Sequence, residues 1–256
     1  MRINIALGMT NDWFEYARVT VYSILLHASA DDDYYFYILS NNFNNEDKER
    51  FLKLKAIHPV EFEFLLIDDS YFDGAIHDWL GVSSSYRLRL STLVNEPKIL
   101  YLDSDIIALE DIKQLYSTDI SDYYLAMVED KCGNMMKRRV GLSDKEIFFN
   151  GGMQLINLDE FRKNDLENII MNKLRKTSFY TDQDVINDIC RGRILSLPLK
   201  YNIMQAFNGY QTRREEYETS IASPVLIHFT SKPWMGFVGE HTEEWHKYKK
   251  AVDSLL

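Results

Sequence analysis

The chain has 256 residues, 46% of them apolar, 27% charged and 13% aromatic, which excludes disordered, collagen-like and coiled-coil classes. Its 29 basic residues face 39 acidic ones, a net charge of −10 that argues against any role built on neutralising a nucleic-acid backbone. Two cysteines, Cys132 and Cys190, are too few for a disulfide framework and read as reduced core residues of a cytosolic protein.

Ile3–Leu7 reads as a buried strand that Gly8 ends, too short for the apolar core of a signal peptide. Trp13–His27 carries Ala17, Val21, Ile24 and Leu25 at helical spacing. Tyr34–Leu39 is aromatic and β-branched, hence a strand. Asn44 is placed to cap a charged amphipathic helix running to about Ile57, and Pro59 marks its end. Val60–Ile67 reads as a third strand, a helix follows around Tyr86–Val94, and Ile99-Leu100-Tyr101-Leu102 is a fourth strand. Strands alternating with helices of this length imply parallel pairing with helices on both faces.

In the second half, Leu125–Val128 and Met153–Asn157 read as strands, with Gly151-Gly152 expected to form a tight turn just before the latter. Asp159–Lys176 reads as one helix. Thr181 and Asp184 fit the start of another, and Val225–Ile227 is a late strand. No linker divides the chain, and no run approaches the roughly 18 apolar residues of a membrane helix. The basic runs Lys137-Arg138-Arg139 and Lys247-Tyr248-Lys249-Lys250 read as solvated helix faces, with at most weak attraction to an anionic membrane surface.

The chemistry concentrates in four places. Asp103-Ser104-Asp105 ends an apolar strand, where an open parallel sheet binds ligands, and paired carboxylates there suit Mg²⁺ or Mn²⁺ bridging to substrate phosphates. Two other Asp-x-Asp pairs, Asp31/Asp33 and Asp182/Asp184, lack that strand; the first reads as a polar turn. His228 also ends an apolar run, with Lys232 four residues on as a point charge for phosphate. Taken alone, His228 reads more readily as a satisfied structural histidine and Trp234 as a core residue. Phe148-Phe149-Asn150-Gly151-Gly152 and Thr181-Asp182-Gln183-Asp184, each alone, read as a turn and a helix start.

Together these segments resemble glycosyltransferase family 8, retaining sugar-nucleotide transferases that include glycogenin and bacterial lipopolysaccharide galactosyltransferases. The resemblance is carried by Tyr22-Ser23-Ile24-Leu25, Ser85-Tyr86-Arg87-Leu88, Tyr101-Leu102-Asp103-Ser104-Asp105 and Phe149-Asn150-Gly151-Gly152 with Leu155-Ile156-Asn157-Leu158. Asp182-Gln183-Asp184 and His228-Phe229-Thr230 with Lys232-Pro233-Trp234 complete the ordered set. It implies an α/β fold: one GT-A domain over residues 1–256, its Rossmann-like, mostly parallel sheet flanked by helices. Residues 1–105 would form the nucleotide-binding half and 106–256 the donor-sugar and acceptor half.

The resemblance further implies Asp103, Asp105 and His228 as ligands of a divalent cation, Mn²⁺ before Mg²⁺. It places Arg87, Ser104, Asn150, Gly151 and Lys232 around the donor, Asp182 on the sugar hydroxyls and Gln183 under the anomeric carbon. Ala6, Asn11, Asp12 and Trp13 would serve the nucleotide, although Gly8-Met9-Thr10-Asn11-Asp12-Trp13 departs from the acidic-acidic-Asn-aromatic run common in the family. The step from His228 to Lys232 is also shorter than in many relatives and lacks their glycine. The implied reaction moves a glucose or galactose from a UDP-sugar to a glycan or lipid-linked glycan. Two rivals stand beside it: a haloacid-dehalogenase-type phosphatase using Asp103 and Asp105, and a sugar-nucleotide binder without turnover.

Overall fold

Apolar runs on strands explain the sheet. In β1 (Arg2–Gly8), β2 (Asp33–Ser40), β3 (Val60–Leu66) and β4 (Lys98–Leu102), alternate side chains leave opposite faces. Ile3, Ile5, Leu7, Leu100 and Leu102 enter one core, while Ala6, Ile99 and Tyr101 enter a second on the other face. Burial on both faces is why β1 and β4 read as continuous apolar runs. These observations come from a computed structural model that describes residues 1–76, 81–130, 134–177, 180–204, 218–220 and 222–255.

The chain continues through β5 (Ile106–Ala108), β6 (Leu125–Glu129), β7 (Phe149–Asn157), β8 (Ile194–Leu197), β9 (Ile203–Met204) and β10 (Leu226–His228). Seven strands form one sheet in the order β3-β2-β1-β4-β7-β6-β8, and β5-β10-β9 form a second, smaller sheet. Within the large sheet β7 alone runs against its neighbours, so the sheet is mostly parallel.

The helices are α1 (Phe14–Leu26), α2 (Asn45–Leu52), α3 (Leu90–Leu93), α4 (Lys113–Tyr116), α5 (Asn134–Arg139), α6 (Leu158–Lys163), α7 (Leu166–Lys176), α8 (Asp182–Ile189) and α9 (Thr242–Asp253). α1, α2 and α9 cover the first core, whereas α6, α7 and α8 cover the second. This is the layered α/β architecture expected from the alternating pattern.

Four readings change. The helix expected at Tyr86–Val94 is a 3-10 segment, Ser83–Arg89, followed by the single turn of α3. The helix from Asn44 has the expected N-cap, which Asp47 completes as a capping box, but past Leu52 it tightens into 3-10 geometry over Lys53–Ala56. The helix expected over Asp159–Lys176 is broken where Asp165 takes φ 52°, a left-handed conformation that turns α6 into α7. Gly151 and Gly152 form no turn; both lie inside β7 with no positive φ. Cys190 is a free buried thiol, pushed up to about 12 by burial. Cys132 lies outside the described residues.

Candidate active site

The chain winds outward from β1 to β3, then returns to place β4 on the other side of β1. A crevice opens at such a switch point beyond the carboxyl ends of the strands. Here it is an open cleft of about 250 Å³, lined by Gly8, Met9 and Thr10 after β1, by Asp103, Ser104 and Asp105 after β4, and by Trp13, Tyr101, Gly81, Ser83 and Ser84. Because β7 runs antiparallel to β4, its first residues lie beside the end of β4, and the Asp103 amide donates to the Gly152 carbonyl at 2.8 Å.

The small sheet delivers the histidine. β10 pairs with β5 so that His228 sits opposite Ile106, and the Phe229 amide donates to the Asp105 carbonyl at 2.9 Å. His228 Nε2 then lies 3.2 Å from Asp105 Oδ1 and 3.9 Å from Asp103 Oδ2. One ligand atom from each of these residues lies within 4.8 Å of the others. Burial would lower the His228 pKa, but the charges of Asp105 and Asp103 outweigh it and raise it. Burial likewise pushes Asp105 up, and His228 and Lys232 hold it well below the usual carboxylate range.

These residues fit a divalent cation. Asp105 Oδ1 is buried with no hydrogen-bond partner and faces His228 Nε2. The space is also cut for these ligands: a Cβ on Gly152 would stand 2.3 Å from His228 Cε1 and 3.0 Å from Asp103 Oδ2. Two carboxylates and an imidazole form a donor set for a hard or borderline ion. Lys232 pairs with the other oxygen of Asp105 and donates to the Phe229 carbonyl at 2.9 Å.

α8 starts beside this cluster, where Arg87 links Asp182 to Asp103. Thr181 and Asp184 form its capping box, which fixes Asp182 and Gln183 in the first turn. Arg87 is buried beneath them; its Nε donates to Asp182 at 2.6 Å and its Nη1 to Asp103 at 3.3 Å and to the Gly151 carbonyl. Burial raises the Asp182 pKa despite this partner. Gln183 Oε1 accepts from the Gly151 amide at 2.7 Å, and its Nε2 donates to Asp130 at 3.2 Å. Asn150 Nδ2 donates to the same Asp130 oxygen at 3.1 Å.

The segment after β1 is less uniform. Trp13 lines the cleft, its ring centroid 5.4 Å from Lys232 Nζ and 5.4 Å edge-on from Trp234. Trp234 stacks on Tyr16 at 3.9 Å and belongs to the packing, as its core reading holds. Asn11 and Asp12 are exposed on a 3-10 turn beside the cleft, and Ala6 is fully buried in the second core; none of the three lines it.

Three residues were not picked out from sequence. Asp130 directly follows β6, the same strand-end position that drew attention to Asp103. Asn202 is fully buried between a 3-10 turn and β9, where no periodicity marks it. The Tyr101 hydroxyl is buried in the cleft wall without a hydrogen-bond partner.

Residues 4–236 match the profile of glycosyl transferase family 8. The chain belongs to glycosyl transferase family 8. Among family 8 relatives, a lipopolysaccharide 1,2-glucosyltransferase of Escherichia coli is 26% identical over 250 residues, covering 91% of this chain and 72% of that one. General stress protein A of Bacillus subtilis is 25% identical over 229 residues, covering 83% and 80%. The chain spans only 63% of a Haemophilus influenzae relative and 62% of the glycosyltransferase GlyF of Streptococcus pneumoniae. In fold, it matches the galactosyltransferase LgtC, crystallised with donor and acceptor sugar analogs, with TM-score 0.83 at 20% identity over 97% of this chain and 96% of that one. That match establishes the GT-A architecture.

Proposed function

We propose that this protein is a metal-dependent retaining hexosyltransferase that moves glucose or galactose from a UDP-sugar to a hydroxyl of a glycan or lipid-linked glycan. One observation carries the reading: the carboxylate–imidazole cluster reaches the cleft at the β1/β4 switch point through Asp103 and Asp105, and Arg87 ties Asp103 to Asp182 and to the Gly151 carbonyl. Mn²⁺ is the assigned ion, with Mg²⁺ the alternative. Held by Asp103, Asp105 and His228, the ion would supply Lewis-acid neutralisation of the departing diphosphate.

Lys232, on a flexible stem, adds a positive charge at the same place. Asp182, anchored by Arg87, offers its carboxylate to the sugar hydroxyls and so supports an oxocarbenium-like centre. Gln183 carries no charge and both ends of its amide are engaged, which makes it a poor nucleophile. Attack by the acceptor on the face the diphosphate leaves, with the leaving phosphate as base, follows from that. A sugar trapped covalently on Asp182 or another side chain would overturn this step.

A bacterial surface-polysaccharide or lipopolysaccharide role is supported by the E. coli relative. Action in the cytoplasm or at the inner membrane face is part of this proposal; among the described residues no helix is long and apolar enough to cross a membrane. The phosphatase rival needs its Asp-x-Asp on the first strand, whereas here it follows β4 within a family 8 chain.

The test is release of UDP from UDP-glucose and UDP-galactose with Mn²⁺. Activity with at least one donor, lost on chelation and in Asp103→Asn with an unchanged circular dichroism spectrum, is the expected result. Binding without release in any acceptor screen would favour the inactive binder, and phosphate release from simple phosphoesters would favour the phosphatase.

A further inference from the structure

His228 has two ring nitrogens, and only the one without a proton can meet a cation. Its Nδ1 lies 3.1 Å from Asn202 Oδ1, and both residues are buried. Which end of the Asn202 amide faces the ring follows from its surroundings. The Gly152 backbone amide donates to Asn150 Oδ1 at 2.9 Å, so that atom is an oxygen. The other end of the Asn150 amide faces the Asp130 carboxylate at 3.1 Å, which requires the NH₂ there. Asn202 then presents its own NH₂ to Asn150 Oδ1 at 2.9 Å, leaving its carbonyl toward His228. A carbonyl accepts only, so Nδ1 must carry a proton to meet it, and a cation held by Asp105 and Asp103 would meet the ring at Nε2.

We propose that Asn202 is a positioning residue that sets the tautomer of His228. It couples that ring, through Asn150 and Asp130, to Gln183 under the sugar pocket. The inference rests on reading Asp103, Asp105 and His228 as the metal site. Asn202 touches neither the reacting atoms nor the cation. Its amide both donates and accepts, so it orients the ring from one side and Asn150 at the start of β7 from the other. Each partner is buried, and an unpaired end would leave a polar group stranded.

The tautomer is read directly by nitrogen NMR of protein carrying ¹⁵N-labelled histidine. His228 is assigned with His228→Gln, and pH is raised until its ring shifts stop moving. The metal-free wild-type protein is expected to hold the proton on Nδ1. Asn202→Leu is expected to move it toward Nε2 and to weaken Mn²⁺ binding, followed by electron paramagnetic resonance, by about 10- to 100-fold. Asn202→Asp keeps the acceptor and is expected to keep both the Nδ1 proton and Mn²⁺ binding. A wild-type proton on Nε2 overturns the proposal, and so does unchanged Mn²⁺ affinity in the leucine variant. Should that variant fail to fold, the wild-type spectrum and the aspartate variant still decide. A wild-type protein that binds no Mn²⁺ would defeat the metal reading, while its tautomer would still judge Asn202.

Discussion

At the scale of single residues, the tightest constraint is the hydrogen atom that serves as the side chain of residue 152. Its backbone suits any residue, so the requirement is space. A methyl group 2.3 Å from His228 Cε1 must push the imidazole away by roughly 1 Å to reach ordinary contact. Gly152→Ala is therefore expected to cost about 1–3 kcal/mol of stability through overpacking. The displaced histidine should lower kcat/KM by about a hundredfold. Urea titration and Mn²⁺-dependent UDP release check the two parts separately; a fully active alanine variant would show that the ring has room. Asp103, Asp105, His228 and Lys232 were legible because strand ends advertise themselves as apolar runs followed by polar chemistry. Gly152 was legible as a glycine but not for its reason. A contact between residues 76 positions apart leaves no local pattern, and the nearest local explanation, a turn, was the wrong one.

At the scale of elements, α8 places Asp182 and Gln183, the residues proposed to face the donor sugar, and its first turn depends on one cap. Thr181 Oγ1 accepts from the Asp184 amide at 3.1 Å, and Asp184 returns a bond to the Thr181 amide at 2.8 Å. Asp184 is fully buried and also accepts from Arg139 at 2.6 Å, so the cap is tied to α5. Thr181→Ala is expected to cost about 1 kcal/mol, or roughly 2–4 °C in Tm. The same variant should raise the KM for donor sugar, since Asp182 and Gln183 ride on that turn. Melting curves and donor titrations test this, and an unaltered KM would place the positioning in the Arg87 and Gly151 bonds instead. The N-caps at Asn44 and Thr181 and the long apolar strands were readable because their signals are local. The break at Asp165 was not, because a left-handed aspartate inside an amphipathic pattern has no sequence cue. β5 and β9 have three and two residues, too few for periodicity to show.

At the scale of the whole molecule, the candidate metal site joins two sheets. Asp103 and Asp105 hang from the end of the large sheet, and His228 comes from the small one. The chain carries −10 overall, and the cations beside the cluster are already engaged: Arg87 pairs with Asp182 and Asp103, and Lys232 with Asp105. A cation binding only where both sheets are in register stabilises the folded state in proportion to the logarithm of its excess over Kd. At a hundredfold excess of Mn²⁺ the gain is about 2.7 kcal/mol. For a chain of this size each kcal/mol moves Tm by about 2–4 °C, so a rise of roughly 5–10 °C is expected. Asp103→Asn and His228→Gln should each remove most of that rise. Alteration of residues outside the site, such as Lys55→Gln in the exposed pair with Glu61 on the edge strand β3, should leave it intact. Calorimetry with and without Mn²⁺ decides the matter. An equal rise in all three variants would mean that the ion binds elsewhere on an acidic surface, and the two sheets would owe their registration to packing alone.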